Sequence, residues 1–150
     1  MDLSKRGYRL PTEAEWEVAA RSLSIAGDRG VVGRTAYSFG SDVELLTRFG
    51  WYDQNSGQSL HVGRERLPGL RGLWEMHGNV FEWVHDLHGR WTSGSAVDPV
   101  GPQQSPRSRV LRGGCWLSHA RFVRCAYRNR NPAGNESSFL SFRLVRVPGS

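Results

Sequence analysis

Two cysteines are the side chains of this 150-residue chain that are best suited to redox or metal chemistry. Cys115 and Cys125 lie ten residues apart, a spacing that neighbouring strands could bring together, and His119 lies between them. Thiolates suit copper(I), and imidazole suits several transition metals. No histidine has zinc-ligand spacing around these cysteines, and an isolated cysteine is more often a small buried hydrophobic residue. We therefore expect two reduced thiols and no bound copper.

Arginine supplies almost all of the positive charge. The formal net charge is +6, Lys5 is the only lysine, and seven arginines fall between residues 107 and 130 with no acidic residue among them. They are Arg107, Arg109, Arg112, Arg121, Arg124, Arg128 and Arg130. Planar guanidinium groups can bind an anionic partner, or they can hold carboxylates and loop carbonyls inside a protein. We favour the internal role and do not expect nucleic acid to be the partner.

The length allows one modest core, so residues 1–150 are expected to form a single domain. Eighteen glycines and seven prolines indicate many turns, and the six tryptophans are the first candidates for the core. No segment is long and apolar enough to span a membrane, and the N-terminus has no apolar signal segment. A cytoplasmic location is the default expectation.

Two helices are predicted. Residues 12–15 form a capping box after Pro11, and apolar residues then recur at helical spacing, which predicts a helix over 12–23. Ser41 and Glu44 repeat the capping pattern before a second, short helix that ends at Gly50.

Short strands are predicted at residues 80–85, 109–112, 123–127 and 141–147. Turn residues dominate 51–74 and 98–106. These patterns predict an α+β fold that is rich in loops, with two helices and short antiparallel strands.

Four ordered segments resemble one known family. They are residues 8–17 (YRLPTEAEWE), 76–84 (MHGNVFEWV), 109–116 (RVLRGGCW) and 142–144 (FRL). Together they resemble the formylglycine-generating enzyme (sulfatase-modifying factor) domain. The resemblance covers essentially the whole chain, which corresponds to the C-terminal part of that domain. It implies a fold similar to that of C-type lectins.

The family's oxidases use a closely spaced cysteine pair after a Gly-Gly-Ser motif to bind copper(I) and engage a substrate thiol. That pair has no counterpart here: Cys115 stands where the family usually has serine, and Cys125 matches a position outside the pair. The resemblance therefore implies no catalytic residue, although a copper- or iron-dependent oxidase remains an alternative.

The last third resembles the variable proteins of diversity-generating retroelements, whose variable region corresponds to about 109–144 here. In that family, adenine-directed codon changes cannot produce Lys, Gln, Met or Trp, and none of these occurs at residues 117–140. The ligand-binding positions implied by the resemblance are Cys115, Leu117, Ser118, His119, Phe122, Cys125, Tyr127, Ser137, Ser138, Phe139 and Leu140. Apolar side chains on framed loops are typical of binding hot spots.

The resemblance also implies a structural calcium ion at the Gly-Asn turn. Its ligands would be the side chains of Glu75 and Glu82 and the backbone oxygens of Gly78 and Val80, since calcium prefers oxygen donors. The alternative is that Glu82 pairs with an arginine while Asn79 only fixes the turn.

The preferred hypothesis is a non-catalytic, receptor-like protein. Residues 1–114 would form the scaffold, and 115–141 would present a diversified surface to an unknown protein or other macromolecule. Oligomerisation is possible, because an exposed sheet edge can pair with another chain. Besides the oxidase, the other alternative is an interaction module of a larger protein such as a kinase or protease.

Overall fold

The computed structural model describes residues 7–21, 35–90, 97–102 and 107–147. The helices are α1 (Glu13–Ala20) and α2 (Leu46–Phe49), and the strands are β1 (Gly7–Arg9), β2 (Phe81–Leu87), β3 (Ser108–Arg112), β4 (Asn129–Pro132), β5 (Leu140–Phe142) and β6 (Val145–Val147). Two short 3-10 helices cover Val43–Leu45 and Ala120–Phe122. The α+β prediction and the high loop content are confirmed.

The strands form two small sheets. Strands β1 and β6 pair antiparallel, and the other sheet has the order β4-β3-β2-β5. Within it β3 is antiparallel to both of its neighbours, whereas β5 runs parallel to β2, with Glu82 opposite Ser141. The prediction of short antiparallel strands is therefore confirmed for the other strand pairs and wrong for the pairing of β5 with β2.

Helix α1 begins as the sequence predicts. The hydroxyl of Thr12 accepts the backbone N–H of Glu15 at 3.2 Å, and the Glu15 carboxylate accepts the Thr12 N–H at 2.7 Å, which completes the capping box. Trp16 and Ala20 are buried along the inner side of the helix. The predicted last residues, 22 and 23, lie outside the described residues.

The second helical segment differs from the prediction in its start. Asp42, not Ser41, caps it by accepting the N–H of Glu44 at 3.0 Å, and a 3-10 turn precedes α2. Asp is as effective an N-cap acceptor as Ser, so the sequence pattern allowed both registers. Gly50 ends the segment by donating its N–H to Leu46 at 3.0 Å.

The predicted strand at 123–127 is wrong. Its backbone groups bond to loops: the Cys125 N–H donates to Ala36 at 2.8 Å and the Tyr127 N–H to Arg124 at 3.0 Å. The predicted strand at 141–147 is interrupted, because its first residues pair with β2 and its last with β1. Arg143, between these two parts, turns its side chain inward.

Three buried clusters form the core, and Trp16 is the only one of the five described tryptophans that is fully buried. Trp51, Trp74, Trp83 and Trp116 are half-buried, and Trp91 lies outside the described residues. The expectation of a tryptophan core is thus confirmed at Trp16 and wrong for the four half-buried tryptophans. Among the described residues, no helix has the length and apolar character needed to cross a membrane.

Candidate functional site

Arg112, at the end of β3, is the most buried of the Asp, Glu, Lys and Arg residues that the structure describes. Its side chain has no exposed surface and donates to Glu13 and Glu17 at 2.7 Å each. The same guanidinium donates to the backbone oxygen of Cys125 at 2.5 Å and lies 5.0 Å from the ring centroid of Trp16. A buried cation of this kind needs such partners, because an unpaired one would be strongly destabilising.

Arg128, which follows residues 113–127, binds the same Glu13 carboxylate as Arg112. Its Nε and Nη2 atoms donate to the two oxygens of Glu13 at 2.6 and 2.7 Å, and Nη1 donates to the carbonyl of Gly89 at 2.9 Å. Glu13 of α1 therefore holds arginines that bracket residues 113–127. We call this segment the framed loop.

A second pairing fixes the end of the region. Arg143 donates to both oxygens of Glu82 at 2.6 Å, and the indole N–H of Trp16 donates to the same carboxylate at 2.6 Å. The internal role that the sequence favours for the arginines is confirmed for Arg112 and Arg128, and Arg143 adds a third case.

These contacts favour the alternative interpretation of the Gly-Asn turn. Both oxygens of Glu82 accept hydrogen bonds from the Arg143 guanidinium. The Asn79 side chain accepts the backbone N–H of His61 and donates to the His61 carbonyl, at 3.1 Å each. The backbone of Asn79 has a φ of 62°, which is typical of a turn residue. Of the predicted calcium ligands Glu75, Glu82, Gly78 and Val80, Glu82 has both carboxylate oxygens bonded to the Arg143 guanidinium, which disfavours its binding of a calcium ion.

Glu75 differs from Glu82 in its surroundings. One of its oxygens accepts the backbone N–H of Arg64 at 3.3 Å, and burial raises the pKa of this carboxyl. Among the described residues, no three His, Cys, Asp or Glu side chains form a group that could hold a metal ion.

Several of the predicted ligand-binding residues lie close together. The rings of Phe122 and Tyr127 are 5.0 Å apart, and Tyr127, Phe139 and Leu140 all pack on one buried cluster. Its members are Phe81, Leu111 and Cys115. We call Phe122, Tyr127, Phe139 and Leu140 the aromatic face; each of them is partly exposed.

The polar and flanking positions vary in exposure. Leu117 is 50% exposed, His119 and Ser138 are exposed, and Ser137 is half-buried. His119 also caps the 3-10 helix Ala120–Phe122, where its ring accepts the Arg121 N–H. His119 thus lies directly before the 3-10 helix that ends at Phe122, a member of the aromatic face.

Three of the predicted ligand-binding side chains are buried instead. Ser118 accepts the N–H of Cys115 at 3.0 Å within a tight turn, and Cys125 packs against Trp16, Val84 and Val110. Their spacing resembled that of their exposed neighbours, so the sequence did not distinguish them. The prediction that Cys115, Ser118 and Cys125 bind a ligand is therefore wrong, because these buried side chains support the surface from the interior.

The cysteines do not form a joint site with His119. Cys115 and Cys125 are free thiols that lie in different core clusters. Burial raises the pKa of the Cys125 thiol to about 11, so it stays protonated at neutral pH. A protonated, buried thiol is a poor nucleophile and a poor metal ligand.

His77 supports the framed loop from below, a role that sequence analysis did not identify. Its ring bonds to the Val123 carbonyl at 2.8 Å through Nδ1, and Nε2 accepts the Ser38 N–H at 3.0 Å. This arrangement requires a neutral ring, and complete burial lowers the pKa of His77 to about 4. The Met-His-Gly-Asn motif was the only available signal.

Comparison with known proteins places this geometry in a family. Residues 2–148 match the model of the sulfatase-modifying factor enzyme 1-like domain. The structure of Treponema denticola variable protein 1 superimposes with a TM-score of 0.86 and 35% identity, over 99% of this chain and 50% of that one. The expected similarity to the variable-protein and formylglycine-generating-enzyme fold is thereby confirmed.

Sequence relatives include two kinds of protein. Serine/threonine-protein kinase pkn1 of Chlamydia pneumoniae is 37% identical over 93% of this chain and 21% of its own length. The formylglycine-generating enzyme of Streptomyces coelicolor is 35% identical over 93% of this chain and 46% of the enzyme. The chain thus spans less than half of each of these relatives.

Proposed function

Within the sulfatase-modifying factor enzyme 1-like family, to which this chain belongs, we propose that the chain is a non-catalytic ligand-binding protein. Its recognition surface would be the aromatic face with the exposed residues Leu117, His119 and Ser138. The observation that supports this most is the double anchoring of the framed loop by Glu13, through Arg112 and Arg128.

The anchoring matters because binding is weakened when a ligand must order a mobile loop. Side chains held on a rigid backbone avoid much of this entropic cost. Arg112 and Arg128 fix the two ends of the framed loop, and His77 holds Val123 in its middle. Individual surface side chains could therefore differ in identity while the backbone remains the same.

The surface chemistry also suits recognition. Aromatic side chains are enriched in protein interfaces, and a few anchors near the centre of a patch contribute most of the binding energy. Phe122 and Tyr127 meet this description, and Leu117 adds a half-exposed aliphatic group. Fold similarity to a variable protein supports the same proposal.

The thiols argue for recognition rather than for oxidation. Copper(I) chemistry needs accessible thiolates. Here both thiols are buried in different clusters, and the pKa of Cys125 is about 11. The oxidase hypothesis therefore lacks a suitable pair of sulfur ligands among the described residues.

A selection experiment tests the proposal. A random polypeptide library displayed on phage would be selected against the purified chain, and its binders measured against Phe122→Ser and against the matched exposed control Leu70→Ser. We expect at least a tenfold loss for Phe122→Ser and no more than a twofold change for Leu70→Ser, with unchanged circular dichroism. Binders that are indifferent to Phe122, Tyr127 and Leu117 would contradict the proposal.

A second candidate is a recognition module attached to a catalytic domain. The similarity to a kinase, of which the matching segment is only 21%, supports it. Mass spectrometry of the native polypeptide tests this candidate, since a module predicts a mass well above that of 150 residues, whereas a mass equal to that of this chain would exclude it.

A further inference from the structure

The structure divides the arginines near the framed loop into two sets. Arg112 and Arg128 are paired with Glu13, and Arg143 with Glu82. Arg121 and Arg124, within the loop, are exposed, and neither forms an ion pair with an acidic residue of the described ranges. The first set serves the framework, and the second set presents its charge to solvent.

The exposed pair lies directly beside the aromatic face. The Arg121 guanidinium is 4.5 Å from the ring centroid of Phe122, and that ring is 5.0 Å from Tyr127. Arg124 donates from Nε to the carbonyl of Arg121 at 2.9 Å and accepts the Tyr127 N–H at 3.0 Å through its own carbonyl. These four residues form one continuous patch, which we call the Arg-aromatic patch.

No acidic side chain from the same stretch opposes this charge. The sequence contains no Asp or Glu from Arg107 to Asn135, and Glu136 is the first acidic residue after them. Electrostatic complementarity in an interface requires an opposite charge on the partner. An acidic partner would therefore be attracted by the arginines of this segment and would meet no like charge within it.

Building on the proposed function, we propose that the Arg-aromatic patch recognises an acidic polypeptide segment that carries an aromatic or large aliphatic residue. Carboxylates would pair with Arg121 and Arg124, whose guanidinium groups suit bidentate binding. The apolar residue would pack beside Phe122 and Tyr127. This assigns a chemical class to the ligand and separate roles to its two kinds of side chain.

A nucleic acid fits this patch less well. Its binding gains most from neutralising many phosphates, and single strands gain further from bases that stack on open aromatic rings. The patch offers two exposed cations, and the Arg121 guanidinium already lies over the Phe122 ring. Both features favour a polypeptide with clustered carboxylates.

Three fluorescent probes distinguish the possibilities: a copolymer of glutamate and tyrosine, polyglutamate, and oligothymidylate. We expect the copolymer to bind the full chain most tightly, polyglutamate more weakly, and oligothymidylate least. Arg121→Gln and Arg124→Gln should each weaken copolymer binding about three- to tenfold, in the range of the net contribution of one ordinary hydrogen bond. Arg71→Gln, at an exposed arginine outside the framed loop, is the charge-matched control and should change it less than twofold.

Other outcomes would overturn the inference. Equal losses of copolymer affinity in Arg71→Gln and Arg121→Gln would show diffuse electrostatic attraction. Tighter binding of oligothymidylate than of the copolymer would indicate that the ligand is a nucleic acid. If the library yields neutral binders that depend on Phe122 but not on Arg121 or Arg124, the acidic ligand is wrong while the proposed function stands. If no binder depends on any of these residues, the proposed function fails with it.

Discussion

Arg112 and Glu13 form an ion pair of 2.7 Å in which the two side chains are 0% and 3% exposed. The pair joins the end of β3 to the first turn of α1. Arg128 shares the same carboxylate, so α1 fixes both ends of the framed loop. A buried charge is stable only while its partner is present. Removing one partner of a buried pair therefore lowers the free energy of unfolding more than removing an exposed pair does.

Glu13→Gln should destabilise the chain strongly. It removes the charge that Arg112 and Arg128 share. Removing one partner of a buried ion pair costs about 3–5 kcal/mol, and because Arg112 keeps its contact with Glu17, we expect the lower end of that range. Urea unfolding would measure the change, with Glu44→Gln as an exposed control expected within about 0.5 kcal/mol. A loss below about 1 kcal/mol for Glu13→Gln would show that the framework does not depend on this carboxylate.

Stability should fall in mild acid because of His77. Its pKa is about 4 in the folded chain, below its ordinary value of 6.5, so the unfolded chain binds the proton more readily. The contribution of His77 is complete above pH 6.5 and is lost as the pH falls towards 4, by about 3 kcal/mol in total.

Urea unfolding at several pH values would measure this loss in the native chain and in His77→Gln. The difference between their unfolding free energies should shrink as the pH falls through that window. A constant difference from pH 7 to pH 4 would contradict the buried, neutral histidine.

The Cys125 thiol should be unreactive in the folded state. It is fully buried, and its pKa of about 11 leaves little thiolate at neutral pH. In a Cys115→Ala background, an aromatic disulfide reagent should label Cys125 at least a hundredfold more slowly than in denaturant. Rapid native labelling would reopen a role for this thiol in catalysis or metal binding.

Gly78 should not tolerate a side chain. A Cβ atom there would lie 1.9 Å from the Trp51 carbonyl oxygen, and its φ of 92° is unfavourable for other residues. Gly78→Ala should cost more than about 3 kcal/mol, or prevent folding. Gly57→Ala is the control, because Gly57 has a positive φ of 59° but open space, and should cost about 1–2 kcal/mol in thermal unfolding. Equal losses of stability in the two variants would show that the positive φ, and not the contact with Trp51, determines the cost at Gly78.

Local signals in the sequence predicted much of the fold. The capping box of α1 depends on residues three apart, and β3 depends on a short apolar run, so both were found. The segment at 123–127 has the same apolar pattern as a strand. Its backbone bonds with Ala36 and Arg124, however, depend on contacts that a local pattern does not encode.

The candidate site was predictable only in part for the same reason. Leu117 is exposed and Phe122 is half-buried, yet Ser118 and Cys125 between and beside them are buried, Ser118 in a tight turn and Cys125 in a core cluster. The arginines were recognised as internal struts, but their division into paired and exposed sets depends on the position of Glu13 in space. Glu13 lies 99 residues before Arg112 in the chain.

A crystal structure of the chain with a binder from the display selection tests the recognition surface most directly. The account predicts that the binder covers Leu117, Phe122 and Tyr127, places a carboxylate against Arg121 or Arg124, and leaves the pairing of Glu13 with Arg112 and Arg128 unchanged. A binder seated on another face, or one that displaces the framed loop from Glu13, would contradict it.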